Sequence, residues 1–293
     1  MDQILKDKTA LITGSGSGIG QTLAIGFAKL GANIIITDMS EEGMQTTKKM
    51  VEDTGAKATT IKANVQEYEE VKKVIEAGIA AFGKINILIN NAGFSRLRRI
   101  QKMPIEEAHA ILKTNILGVY NFTHAIVPHM EANGGGAIVN TGSLTVKSPS
   151  PKWGTYAMSK SALLSFTEHF GVELKDVKIN INTLMPMMVK TPLFRMGMTE
   201  EDIKRLNPME PTALIPYYAF FGTEDSKKVT GLNVDIEIIR SIIALKEKVP
   251  PEQQGDITWK VLEPIAEQNL PPADFKDAKK YRRITDFILK WKD

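Results

Sequence analysis

A run of glycine and serine, Gly14-Ser-Gly-Ser-Gly18-Ile-Gly20, separates the apolar stretch TALIT (9–13) from a segment with helical spacing over 21–30. A second apolar stretch, NIIIT (33–37), follows and ends on Asp38. Strand, glycine turn, helix and strand in that order form the first half of a dinucleotide-binding unit. Gly14 permits the tight turn, while Gly18 and Gly20 let the backbone approach a pyrophosphate and the helix sit close to the sheet. The helix N-terminus then offers unpaired N–H groups and a favourable dipole to the phosphates. A carboxylate at Asp38 can accept both ribose hydroxyls of NAD and repels the extra phosphate of NADP. No arginine or lysine in the glycine loop or just after Asp38 offsets that repulsion.

The alternation continues down the chain. ATTIK (58–62) precedes a predicted helix over 67–82, and INILIN (85–90) precedes an irregular stretch and one long helix over 105–130. AIVNTGS (137–143), a helix carrying Tyr156 and Lys160, KININ (178–182, extended to 185) and a last strand within KKVTGLNVDI complete the pattern. Near-continuous apolar strands alternating with helices predict a parallel sheet covered on both faces, with ligands beyond the carboxyl ends of the strands. Gly14, Asp38, Asn90, Ser143 and Pro186 all fall at or just past such ends. Tyr156 and Lys160, four apart, share one helical face. A phenol with a pKa of roughly 10 is a poor base, and a nearby ammonium stabilises its phenolate. Such a pair is often mere helix surface, so its weight comes from the glycine turn upstream.

Composition narrows the classes. At 293 residues the chain fits one large domain, or one with an appendage. A net charge of +3 is too small to argue for nucleic acid. The absence of cysteine excludes disulfides, thiolate metal sites and a cysteine nucleophile. His109, His124, His129 and His169 lack metal-binding spacing, so no metal is expected. No apolar run reaches membrane-spanning length and the N-terminus lacks a signal-like core, so no membrane association and a cytoplasmic location are expected.

Together, Thr13 to Gly20, Asn90-Asn91-Ala92-Gly93, Asn115, Ser143 and Tyr156-x-x-x-Lys160 resemble the short-chain dehydrogenase/reductase family. The three residues between Gly14 and Gly18 resemble its single-domain alcohol and keto reductase branch. The resemblance spans about residues 6–235 and implies an α/β fold, a doubly wound parallel sheet (Rossmann fold) of about seven strands. It also implies NAD-dependent, reversible hydride transfer to or from a secondary alcohol or ketone, in a homo-oligomer (dimer or tetramer). By the same resemblance Tyr156 is the acid/base, Lys160 holds the nicotinamide ribose and lowers the phenol pKa, and Ser143 orients the reacting oxygen. Asn115 would support a water-linked proton path. Cofactor contacts are implied for Gly14, Ser17, Gly18, Ile19, Gly20, Asp38, Asn64, Val65, Asn91, Ala92, Gly93, Tyr156, Lys160, Pro186, Val189 and Thr191, with Asn90 and Gly93 near the adenosine. Three departures stand out: Asn64 replaces the family's usual Asp, Pro186-Met187 replaces Pro-Gly, and IEIIRS replaces the glycine pair after Asp235.

Specificity is expected after Pro186, where Met187, Met188, Met196 and Met198, with Leu193 and Phe194, either line an adaptable apolar pocket or pack their loop on the core. Thr199 before EED reads as a helix cap. Arg96, Arg98, Arg99, Lys102, Lys147, Lys152, Lys190 and Arg195 are either solvated surface or hold an anionic substrate tail. The latter favours an alternative function, reduction or oxidation of 3-oxoacyl or 3-hydroxyacyl thioesters. A non-catalytic NAD-binding regulatory protein is the alternative of another class. The expected division is a catalytic domain over 1–240 and an atypical helical extension over 241–293. In that extension Pro250-Pro251, Pro264 and Pro271-Pro272 separate short helical patterns. The last pattern aligns Phe275, Ala278, Tyr281, Ile284, Ile288 and Trp291 opposite a basic face that Asp274, Asp277 and Asp286 interrupt. The stripe is expected to pack on the body or on a neighbouring subunit near the substrate rim.

Overall fold

The computed structural model describes residues 3–196, 198–250, 253 and 257–291; Pro251, one half of the first proline pair, lies outside the described residues. Among the described residues seven strands form one sheet: β1 (Thr9–Thr13), β2 (Asn33–Asp38), β3 (Ala58–Lys62), β4 (Ile87–Asn90), β5 (Gly136–Thr141), β6 (Ile179–Met185) and β7 (Asn233–Asp235). Their order is β3-β2-β1-β4-β5-β6-β7, and every neighbouring pair is parallel. The order reverses between β1 and β4, which opens a crevice at their carboxyl ends.

The central strands are buried on both faces because they are almost wholly apolar, while the edge strand β3, ATTIK, is half-buried. Ala10 and Ile12 point to one core and Leu11 to the other, as the two-residue period of a strand requires. Register pairs Leu11 with Ile35 on one side and with Leu88 on the other. On the first face lie α1 (Gly18–Lys29) and α2 (Glu41–Glu52); Ser40 caps α2 by accepting from the Gly43 N–H. On the second lie α3 (Tyr68–Phe82), α4 (Ile105–Leu112), α5 (Gly118–Ala132) and α6 (Gly154–Glu173). The single helix expected over 105–130 is interrupted: Lys113–Leu117 form a π-helical turn between α4 and α5. Apolar spacing runs through that turn, which is why the pattern conceals it.

Beyond β6 come α7 (Pro192–Arg195), α8 (Glu200–Leu206), α9 (Ile215–Phe220) and, after β7, α10 (Ile236–Ala244). Thr199 caps α8 as expected and forms a reciprocal pair with Asp202. In place of a glycine pair, Asp235 accepts N–H bonds from Glu237 and Ile238 and starts α10 directly.

The tail comprises α11 (Trp259–Asn269), α12 (Pro272–Lys280) and α13 (Arg282–Lys290). The last pattern is two helices, broken at Tyr281, rather than one. They extend the first core of their own chain: Trp259, Leu262, Ala278, Tyr281 and Ile284 are buried with Phe220, Ile238 and Ile242. Phe287 meets Phe220 edge to face at 5.5 Å. The tail therefore packs on the body of its own chain.

Candidate active site

The glycine turn is locked to the loop after β4. Gly14 has φ +63°, and a Cβ there would stand 2.7 Å from Ala92 Cα, so only glycine fits. Asn91 Nδ2 donates to the carbonyls of Thr13 (3.1 Å) and Gly14 (3.2 Å), while Thr13 Oγ1 accepts the N–H groups of Asn91 and Ala92, both at 2.9 Å. Ser17 stands at the N-cap of α1 but makes no cap hydrogen bond, and the first turn carries no acidic residue. That leaves the positive end of a twelve-residue helix open to an anion. Asp38 Oδ2 accepts from the Gly16 N–H and Oδ1 from the Ser40 N–H, both at 2.9 Å. Each oxygen keeps further acceptor capacity.

One cavity of about 720 Å³ runs from Asp38 to the end of the segment after β6. Gly14, Ser17, Gly18, Ile19, Asp38, Asn64, Val65, Asn91, Ala92, Gly93, Ser143, Tyr156, Lys160, Pro186, Val189 and Thr191 all line it. Three expected site residues do not. Gly20 is buried, and a Cβ on it would collide with the Gly14 carbonyl, so it lets α1 pack against the turn rather than face a ligand. Asn115, in the π-helical turn, lies behind Gly93: its Nδ2 donates to the Phe94 carbonyl (3.1 Å) and Ser159 Oγ (2.9 Å), and its Oδ1 accepts the Phe94 N–H. Asn90 is likewise away from the cavity, donating to Asn140 Oδ1 at 3.0 Å inside the sheet. Strand alternation turns Asn90 inward just where Asn91 turns out.

Ser143, Tyr156 and Lys160 converge at the carboxyl end of β5, and all three are buried. Lys160 is 4% exposed, and its Nζ donates to the Thr141 carbonyl at 2.7 Å and lies 5.6 Å from the centre of the Tyr156 ring. Burial lowers its pKa to about 8. Burial also raises Tyr156 to about 12, with a Ser143 hydrogen bond pulling the other way. Thr145 donates to Ser143 Oγ through its N–H (3.3 Å), and Lys147 Nζ pairs with Asp235 at 3.0 Å, tying this loop to the end of β7.

The substrate end is apolar. Met187, Met188, Met198, Leu193 and Phe194 line it, while Met196 does not. Met187 takes the position expected of a glycine with an ordinary backbone and its side chain half exposed. Of all lining residues described, only Asp38 and Lys160 carry charge. None of the eight basic residues assigned to the rim lines the cavity; Arg98 pairs with Glu107, Lys147 with Asp235, Lys190 with Glu210 and Arg195 with Glu200. No described residue of the tail lines the cavity of its own chain. Sequence reasoning missed Met39, beside Asp38, and Trp153, whose ring meets Tyr156 edge to face at 5.5 Å. Trp153 stands three residues before Tyr156, and its aromatic character there was the available signal.

Residues 8–202 match the profile of the short chain dehydrogenases. A 3-oxoacyl-[acyl-carrier-protein] reductase of Thermotoga maritima is 30% identical over 240 residues, covering 80% of this chain and 97% of that one. A cyclohexanol dehydrogenase of an Acinetobacter species is 31% identical over 236 residues, covering 79% and 94%. Among solved structures, a 3-ketoacyl-(acyl-carrier-protein) reductase of Brucella melitensis complexed with NADH superposes with a TM-score of 0.74 at 32% identity, covering 79% of this chain and 97% of that one.

Proposed function

The chain belongs to the short-chain dehydrogenase family, and from that premise we propose an NAD-dependent oxidoreductase that interconverts a secondary alcohol and a ketone. The observation that carries this reading is the single cavity joining Ser17 and Asp38 at one end to Ser143, Tyr156 and Lys160 at the other. The residues fit a dinucleotide: an uncapped helix N-terminus for pyrophosphate and a carboxylate with spare lone pairs for ribose hydroxyls; Lys62, across the strand pair from Asp38, is engaged by Glu41 and does not line the cavity. NAD bound there supplies the hydride acceptor or donor.

The chain's own residues handle the oxygen and its proton. Ser143 Oγ, held by Thr145, orients the carbonyl or carbinol oxygen toward the phenol. Tyr156, neutral at pH 7, is poised to donate a proton during ketone reduction and to receive one in the reverse direction. Lys160 holds positive charge beside the phenol with no carboxylate partner among the described residues, and its post on Thr141 fixes that charge in place. Asn115 acts as a positioning residue, holding Phe94 and Ser159 behind the site.

The apolar substrate end supports a compact uncharged alcohol or ketone. The thioester reading drew on a basic rim, and those side chains are engaged elsewhere or stand off the cavity. Exposed Ile105, Leu117, Tyr120 and Met158 on α4, the π turn, α5 and α6 support a homo-oligomer. Purified protein assayed with NAD and a panel of secondary alcohols, and with a 3-hydroxyacyl thioester, tests the reading. Turnover of the alcohols is expected; cofactor binding with no turnover of any substrate would leave the regulatory alternative, and thioester-only turnover the other.

A further inference from the structure

The lysines and arginines of the tail take no part in the catalytic cavity, yet they do not scatter evenly over the surface. Where α12 passes into α13, Lys279, Lys280, Arg282 and Arg283 face Lys228 and Thr230, in the segment leading to β7, across a cleft of about 280 Å³. Five of its lining residues are cationic and none is acidic. In sequence, Asp274, Asp277 and Asp286 interrupt the basic face of the last helical pattern. In the fold Asp286 turns to accept the Trp259 N–H, Asp277 pairs with Lys280, and none of the three lines the cleft. Lys279 lies over the Phe275 ring at 4.4 Å and reaches Glu263 only at 3.9 Å. Lys228, Arg282 and the half-buried Arg283 have no carboxylate partner among the described residues. Like charges held together repel one another, and the fold supplies no counter-charge inside the cleft.

We propose that this cleft is a second ligand site, taking a soluble small molecule that carries two or more phosphate groups. Adjacent arginines present planar donor forks that match phosphate oxygens, and lysines close on the anion from both walls. The volume lies just under the roughly 300–1,000 Å³ of pockets for drug-sized ligands, so it suits an oligophosphate arm rather than a whole dinucleotide. The site also spans two parts of the fold. Tyr281, between Lys280 and Arg282, donates its hydroxyl to the Asn233 carbonyl at the start of β7 at 2.8 Å. An occupant would therefore brace the tail against the sheet edge and raise stability.

The test is calorimetric titration of the full chain with inorganic tripolyphosphate in about 150 mM salt, where diffuse surface attraction is screened. NAD is added so that the glycine turn is occupied; the comparison of variants stands whether or not NAD binds. Wild type should give saturable one-site binding and a raised melting temperature. Arg282→Gln with Arg283→Gln, and separately Lys228→Gln on the opposite wall, should each weaken binding about ten-fold or more. Either variant suffices if the other fails to fold, as its ligand-free melting curve will show. Unchanged affinity in a folded variant, or no saturable binding at this salt, overturns the site. Binding to phosphatidylserine vesicles with no response to tripolyphosphate also overturns it, by assigning the basic face to a lipid surface.

Discussion

Lys160 Nζ lies 2.7 Å from the carbonyl oxygen of Thr141, and that strand-end carbonyl is the post on which the buried ammonium hangs. Thr141 is itself steadied from behind, its Oγ1 sharing a 2.9 Å hydrogen bond with the fully buried Tyr218 hydroxyl. The lysine is thus placed by the end of β5 and not by an opposite charge. Its charge stays available to whatever forms in front of it, and the cost of burying it falls on the fold.

That cost sets a pH dependence. Lys160 titrates at about 8 in the fold against an ordinary 10.5, so between those values the unfolded chain binds more protons and stability rises with pH. The lowering corresponds at most to on the order of 3 kcal/mol, present above the window and lost as pH falls through 8. Tyr156, raised from 10.0 to about 12, tilts stability the opposite way as pH rises through 10, at the top of the window, and does so in wild type and Lys160→Met alike. Urea unfolding at pH 8 and pH 10 should show wild type gaining on Lys160→Met. A difference between the two proteins that does not move with pH would separate this lysine's titration from folding.

Tyr156→Phe removes the proton-transfer group and leaves the ring against Trp153. Turnover should fall about a hundred- to ten-thousand-fold while the NAD dissociation constant hardly changes. Retention of most wild-type turnover would move the acid/base role to another group.

Asp38 should favour NAD over NADP in kcat/KM. Its carboxylate also anchors Gly16 and Ser40, so Asp38→Ala should cost NAD about ten-fold or more, as loss of bonds to a charged group does. NADP should lose less, since repulsion of its phosphate vanishes too. Steady-state rates with both cofactors decide the matter, and equal efficiency with NADP in the wild type would refute it.

What could be read from sequence follows from how local each feature is. The turn from Gly14 to Gly20, the strand end at Asp38 and the four-residue step from Tyr156 to Lys160 are set by neighbours in the chain. Their geometry is therefore written in spacing. Gly20 and Asn115 are harder, because what each faces depends on a second segment, the Gly14 carbonyl in one case and Phe94 with Ser159 in the other. The π-helical turn leaves no trace because its apolar period survives it. Which reading of the rim cations holds is not written in the sequence because pairing is tertiary; Glu107, Glu210 and Asp235, far apart in the chain, each take one.

The tail offers the sharpest separation of stability from activity. Ile284 on α13 is fully buried in the core that the tail shares with α9 and α10, yet no residue of α11, α12 or α13 lines the catalytic cavity. Ile284→Ala should destabilise the protein by about 2–5 kcal/mol, as truncation of a fully packed aliphatic side chain does. If the tail belongs to the same cooperative unit as the sheet, far-UV dichroism and tryptophan fluorescence should report one coincident, earlier urea transition. KM and kcat per folded molecule should stay within about two-fold of wild type at low temperature, an effect under about half a kcal/mol. A variant of unchanged stability would show α13 only loosely docked. One of wild-type stability with altered KM would bring the tail back to the substrate rim, against the geometry of the cavity.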